Sequence, residues 1–288
     1  MKKMFIICFL IISSNCLINN LKKISLTNLA STTKIKGFGY WLFGKDMNNV
    51  DLNGLSTKGV TDLFLNYYAF SLYSENEVLK WIAKANKLNI RIHIWVQAFY
   101  RNEKWIDPAN VANNKVLTTI TAEVKRYALL KGVSGIHFDY LRYPGNAYKS
   151  NGATGAINKF IKTTIYAIHS VNSKCIISAA LMPETTVSQK YYGQDYTTLS
   201  KYMDVVIPMV YKGNYKKDTE WIKTTTEWYV KNSQGASVWV GLQSYKNDDD
   251  TTKLSLNELN NDVKAALNSK ANGVVIFRYG LSANINFK

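Results

Sequence analysis

At 288 residues, with 47% hydrophobic and 13% aromatic content, the chain can bury a sizeable core, which excludes a disordered polymer and leaves room for one α/β barrel or two small domains. Its formal charge of +16, from 36 basic and 20 acidic residues, comes from scattered lysines rather than an arginine-rich stripe; this argues against a nucleic-acid partner and suits an anionic glycan or wall polymer. Two of the three cysteines, Cys8 and Cys16, lie near the start, so Cys175 alone remains for a mature domain and a disulfide framework within it is excluded.

The chain opens on Met1-Lys2-Lys3-Met4 and the apolar run Phe5 to Ile12. This is the charged start and short greasy core of a secretory signal, not a membrane span of roughly 20 residues. Residues 1–30 are therefore expected to be a signal peptide or N-terminal anchor, and the protein to be secreted or held at the cell surface. Membrane contact is expected only through this leader, if it is uncleaved or lipidated. Residues 1–36 hold six lysines and no acid, so their removal lowers the formal charge from +16 to +10. The polar residues 31–36 read as a linker, and residues 37–288 as one domain.

Gly37 to Gly44 forms a short aromatic strand bounded by glycines. Asp62 to Tyr68 is a second apolar run, and Val78, Leu79, Ile82, Ala85 and Leu88 recur at helical spacing within Glu75 to Leu88. Ile90 to Gln97 is a third strand; a loop through Trp105-Ile106-Asp107-Pro108 leads to a helix over Val116 to Leu130, which Gly132 ends. The fourth strand runs Gly135-Ile136-His137-Phe138-Asp139. A helix over Ile157 to Val171, a strand over Cys175 to Leu181 and a polar, tyrosine-rich connection follow. Strands over Asp204 to Tyr211, Ser237 to Gln243 and Gly273 to Tyr279 alternate with helices over Thr219 to Val230 and Leu256 to Leu267. Eight near-continuous apolar runs separated by helices or long loops predict a parallel sheet buried on both faces. Over about 250 residues they match a single closed (β/α)8 TIM barrel, in the α/β class, better than an open doubly wound sheet. No glycine-rich phosphate loop follows the first strand, and no cofactor is expected.

Side chains two apart on a strand share a face, so His137 and Asp139 point to one wall while Ile136 and Phe138 pack on the other. In a parallel barrel the C-terminal strand ends open into the mouth, where Asp139, Arg142, Glu184, Tyr211, Gln243 and Arg278 would collect, with Asp107 on the loop after the third strand. Asp139 and Glu184 end neighbouring strands. That arrangement suits glycosidic cleavage, in which one acid protonates the leaving oxygen and the other attacks or activates water. Asp139 is expected as nucleophile or transition-state stabiliser and Glu184 as general acid. His137, Tyr140, Arg142, Tyr143, Trp41, Trp105, Asp107, Tyr211, Gln243 and Arg278 are expected to bind substrate, the aromatics by offering flat faces to sugar rings. His93, His137 and His169 show no metal-ligand spacing, so no metal is expected. No GxSxG elbow occurs, and Cys175 reads as a small buried residue, so serine or cysteine catalysis is unsupported.

Trp105-Ile106-Asp107-Pro108, then a helix, then Gly135 to Tyr140 with Arg142-Tyr143-Pro144, resembles the glycoside-hydrolase-like barrel proteins whose fourth strand carries a GIHFDYIRYP motif. Met203 to Tyr211 is similar to that family's sixth strand, and the likeness spans roughly residues 37 to 280. What the resemblance implies is a carbohydrate-active barrel, often secreted or lipid-anchored, with Asp139 at its centre. The chain departs from relatives with two adjacent acids, because Tyr140 follows Asp139. It departs from chitinase-like barrels in having Leu141 where their DxxDxDxE pattern needs an acid. Amylase-like barrels offer a parallel for Asp139 and Glu184, but their third acid, after strand seven, has no clear equivalent in Gln243-Ser244-Tyr245. Two classes stay open: a glycoside hydrolase acting on a cell-wall or extracellular polysaccharide, and a non-catalytic carbohydrate-binding barrel associated with the wall.

Overall fold

The computed structural model describes residues 33–283 and 285–288. The expected leader and the first residues of the expected linker lie outside them. Eight strands close into a parallel barrel: β1 (Gly37–Leu42), β2 (Asp62–Asn66), β3 (Arg91–Gln97), β4 (Val133–Asp139), β5 (Ile176–Leu181), β6 (Val205–Pro208), β7 (Ser237–Gln243) and β8 (Gly273–Phe277). Each strand pairs with its neighbours in sequence, and β8 pairs with β1 to complete the ring. Five longer helices wrap the outside: α1 (Glu75–Lys87), α2 (Asn114–Leu129), α3 (Ala153–His169), α4 (Thr219–Asn232) and α5 (Leu256–Asn268). All eight strands and all five helices were legible in the apolar periodicity. Capping boxes start α1 at Ser74 with Glu77 and α5 at Ser255 with Glu258, satisfying backbone N–H groups that the first helical turn leaves open.

The alternation of side chains along each strand divides the apolar residues into two zones. Outward residues such as Ile136 and Phe138 pack against the helices. Inward residues Trp41, Phe64, Trp95, Val205, Ile207, Trp239 and Val275 fill the barrel, which is a packed core and not a pore. Two inward glycines make room for these rings. A Cβ on Gly37 would lie 2.1 Å from Trp239, and one on Gly241 would lie 2.9 Å from Trp41.

The N-terminal end of the barrel is closed by charge. Asp62, the first residue of β2, accepts from Arg91 Nε at 2.8 Å and Nη2 at 2.7 Å, and from His93 Nε2 at 2.8 Å. Burial opposes ionisation there, but the hydrogen bonds and charges of His93 and Arg91 outweigh it and hold the carboxyl below its usual range. Residues 34–36, read as linker from sequence, dock at this end. Ile35 N donates to Ser237 Oγ at 2.7 Å, Trp239 Nε1 donates to Ile35 O at 2.8 Å, and Lys34 Nζ donates to Gly235 O at 2.7 Å.

The connections hold structure that apolar periodicity does not reveal. The tyrosine-rich segment after β5 contains short helices Ser188–Tyr192 and Tyr196–Tyr202, the second capped by Asp195. Tyr100–Arg101 and Lys104–Trp105 form a small hairpin in what reads as plain loop, and Tyr245–Asn247 pairs with Asp250–Lys253 in a second hairpin after β7. These elements are short and polar, and local hydrogen bonds define them: Asn247 Oδ1 accepts from both Asp249 N and Asp250 N at 2.9 Å.

Candidate active site

Strand β4 ends at Asp139, and the next residue, Tyr140, adopts a left-handed backbone with φ of 50°. That conformation is uncommon for a bulky side chain, and such outliers gather at functional sites. Here the turn brings the Tyr140 N–H back onto Asp139 Oδ1 at 2.7 Å, while Trp95 Nε1 donates to Oδ2 at 3.1 Å. Asp139 is partly buried. Burial raises its carboxyl pKa, outweighing the Tyr140 N–H, the Arg142 charge and the Trp95 N–H, which pull the other way. An upward shift favours a carboxyl that keeps its proton, as a proton donor must and a carboxylate nucleophile must not.

Asp139 opens into a cavity of about 320 Å³ at the C-terminal mouth, walled by Trp41, Phe43, Trp95, Tyr140, Arg142, Tyr211, Phe277 and Asp248, among others. At Tyr140 and Arg142 the wall joins a cluster of cation and rings. The Arg142 guanidinium lies 5.0 Å from the Trp105 ring, 5.3 Å from Tyr140 and 5.6 Å from Tyr192. On the other side Tyr211 stacks on Phe277 at 5.7 Å. Its phenol is pushed well above its ordinary pKa by burial, then by the charges of Asp139, Tyr245, Asp248 and Tyr140, and stays protonated as a hydrogen-bond donor.

Of the residues expected from sequence, this cavity brings together Asp139, Tyr140, Arg142, Tyr211 and Trp41. Trp41 belongs to its floor and not to an open platform: it is 2% exposed, packs on Phe64, His137 and Phe277, and donates its N–H to His137 Nε2 at 3.0 Å. His137, expected to hydrogen-bond Asp139 or a sugar, is 0% exposed. Its Nδ1 lies 2.9 Å from Ser178 Oγ, so both ring nitrogens have partners within the protein. Burial, then His93, holds its pKa well below the ordinary value. The neutral ring accepts from Trp41 at Nε2 and donates to Ser178 at Nδ1, a core role and not a substrate contact.

Glu184 is not part of the mouth cavity. It follows β5 at the same end of the barrel, but three residues past the strand it enters the turn Thr185–Val187, leaving the ring of strand ends. There it lines an adjoining cavity of about 480 Å³ with Tyr215, Trp221 and Trp228. Its Oε1 accepts from Tyr192 at 2.9 Å and Tyr215 at 2.7 Å. Asp139 and Glu184 thus serve separate cavities. Trp105, Asp107 and Tyr143 line a third, of about 400 Å³. Asp107 accepts from Tyr143, from Ser150 Oγ at 2.9 Å and from Ala109 N at 2.8 Å, which ties the loop after β3 to the loop after β4. Gln243 is buried and donates to Asn214 Oδ1 at 3.0 Å, so it fixes loops. Arg278 sits at the rim over Phe43, 4.3 Å from the ring centre, and 3.6 Å from Asp46.

The sequence reading missed Asp248, an acid in this cavity carried on the hairpin after β7. The signal was present: the run Asn247-Asp248-Asp249-Asp250 between short alternating segments marks a hairpin turn. The search for a third acid stopped at the strand end itself.

Among curated proteins, none matches the chain by sequence. Solved structures share its fold at low identity. The glycoside hydrolase domain of PgaB (BpsB) from Bordetella bronchiseptica superposes with a TM-score of 0.65 at 8% identity, over 86% of this chain and 95% of that one. The spore cortex-lytic enzyme SleL of Bacillus megaterium gives 0.60 at 14% identity, over 88% of this chain and 73% of that one. An endo-1,4-beta-D-mannanase from Thermotoga petrophila gives 0.60 at 12%, over 85% and 88%. At these identities the likeness establishes the barrel fold. Residues 75–268 match the family model DUF4015, described as "Putative glycosyl hydrolase domain", and the chain belongs to that family.

Proposed function

We propose that this protein is a secreted or cell-surface glycoside hydrolase that cleaves a wall or extracellular polysaccharide in the barrel mouth, with Asp139 as the central catalytic carboxyl. The observation that carries this reading is the setting of Asp139. It lies partly buried at a strand end, is oriented by the Trp95 and Tyr140 N–H groups, and opens into a mouth of about 320 Å³ walled by rings and one arginine. Apolar ring faces with a few convergent polar groups suit a sugar, which presents C–H faces and hydroxyls together. The upward shift of Asp139 supports proton donation to the leaving oxygen. The general-acid role expected of Glu184 is not carried forward, since Glu184 lines a different cavity from Asp139. The surplus of positive charge suits an anionic polymer, and the leader-like start of the chain supports export.

The test is a screen of the purified protein against wall and capsular polysaccharides, reading new reducing ends. Release by the protein and its loss in Asp139→Asn are expected. Tight binding with no release from any polymer would overturn hydrolysis in favour of a binding barrel.

A further inference from the structure

We infer that Asp248 is the second catalytic carboxylate, acting opposite Asp139 across the mouth. The inference rests on the glycosidase reading of this cavity. Asp248 is the other carboxylate among the residues that wall it. It sits at the exposed turn of the hairpin after β7 and lines the mouth with Asp139.

Several donors fix its position. Oδ1 accepts from Tyr245 Oη at 2.9 Å and from Gln243 Nε2 at 3.4 Å, and Oδ2 accepts from Asn214 Nδ2 at 2.8 Å. Asn214 Oδ1 in turn accepts from the Asp248 backbone N–H at 2.9 Å. The loop after β6 and the hairpin after β7 are thereby clamped together. Gly213 allows the close approach, since a Cβ there would lie 1.6 Å from Lys246 O. Buried Gln243 has its amide committed to this clamp, which accounts for a polar side chain inside the rim. The two acids neighbour the same rings: the charges of Asp139 and Asp248 both act on the phenols of Tyr211 and Tyr140.

The environments of the two acids differ as the two roles require. Asp139 is partly buried, which pushes its carboxyl pKa upward as proton donation requires; Asp248, at the exposed turn, stands where water has access. Asp139 passes its proton to the glycosidic oxygen as the bond to the anomeric carbon breaks, with the electron pair staying on that oxygen. A water oxygen bonds to the anomeric carbon and gives its proton to the Asp248 carboxylate, and exchange with solvent restores both groups.

Asp248→Asn tests this on whichever polysaccharide the protein cleaves. The expected result is a kcat loss of on the order of 10²-fold or more with KM little changed, and partial rescue by azide, a small anion able to attack the anomeric carbon unaided. Asp249→Asn, next along the same turn, is the control and keeps wild-type rates. A second measurement needs no substrate: carboxyl-carbon NMR titration of Asp139, whose pKa should fall when the facing negative charge is removed. Unchanged Asp139 titration in folded Asp248→Asn, or activity within about tenfold of wild type, would overturn the pairing. If the protein cleaves nothing, the titration alone decides whether the two acids face each other, apart from the fate of the glycosidase reading.

Discussion

Asp139 and His137 share one face of one strand, yet their surroundings give them opposite tasks. Asp139 reaches the cavity, and its raised pKa gives a signed expectation. If the protonated carboxyl is the active form, kcat/KM falls as pH rises through its pKa, which lies above the ordinary carboxylate value. A pH–rate profile checks this, and Asp139→Asn should cost on the order of 10² to 10⁴-fold in kcat. A rate that rises through that range instead would return Asp139 to the nucleophile role. His137 is enclosed, and His137→Ala leaves the Trp41 N–H and Ser178 hydroxyl without their partner. A loss of about 2–4 kcal/mol in denaturant unfolding is expected. Glu184→Gln keeps an acceptor oxygen for Tyr192 and Tyr215, so polysaccharide cleavage should stay within about tenfold of wild type. A larger loss with the fold intact would restore Glu184 to the chemistry.

At the level of elements, the clamp between the loop after β6 and the hairpin after β7 leaves no room for a single added methyl at Gly213. Gly213→Ala forces a methyl into Lys246 O, so the hairpin must shift. We expect about 1–3 kcal/mol of lost stability and a fall in kcat, both measurable on the same purified variant. Unchanged stability and rate would show that the two loops move apart without consequence. This clamp also marks where sequence reading stops. The barrel was legible because each buried strand is an apolar run and each longer helix has a 3.6-residue pattern, as in Arg91–Gln97 and Glu75–Lys87. Asp139 was legible because it ends such a run abruptly. Asp248 lies five residues past β7, in a hairpin whose place at the mouth is set by contacts with Asn214, 34 residues earlier. Burial of His137 and the divergence of Glu184 depend likewise on neighbours that strand periodicity does not report.

For the whole molecule, stability should respond to pH in two separate windows. The depressed pKa of folded His137 means that the unfolded chain takes up its proton first as pH falls, so its contribution is intact above roughly 6.5 and declines below that. Asp62, held low by His93 and Arg91, contributes above roughly 3.9, and this is lost as pH falls through its folded pKa. Asp139, Asp204 and Asp262, all raised by burial, act in the opposite sense as pH rises through the carboxylate range. Urea unfolding of wild type and a folded His137→Asn variant between pH 7 and 5 separates the first window, which should vanish in the variant. The docking of Lys34 and Ile35 at the start of β7 fixes a direction as well. These two residues lie at the barrel pole opposite the mouth. A molecule held from that pole presents its mouth outward, like a cup held by its base. Immobilised on beads through the N-terminus, the protein should keep its rate on long polymers, whereas attachment through a cysteine placed at Asp249 should block them; equal rates would show that the tether does not orient the mouth.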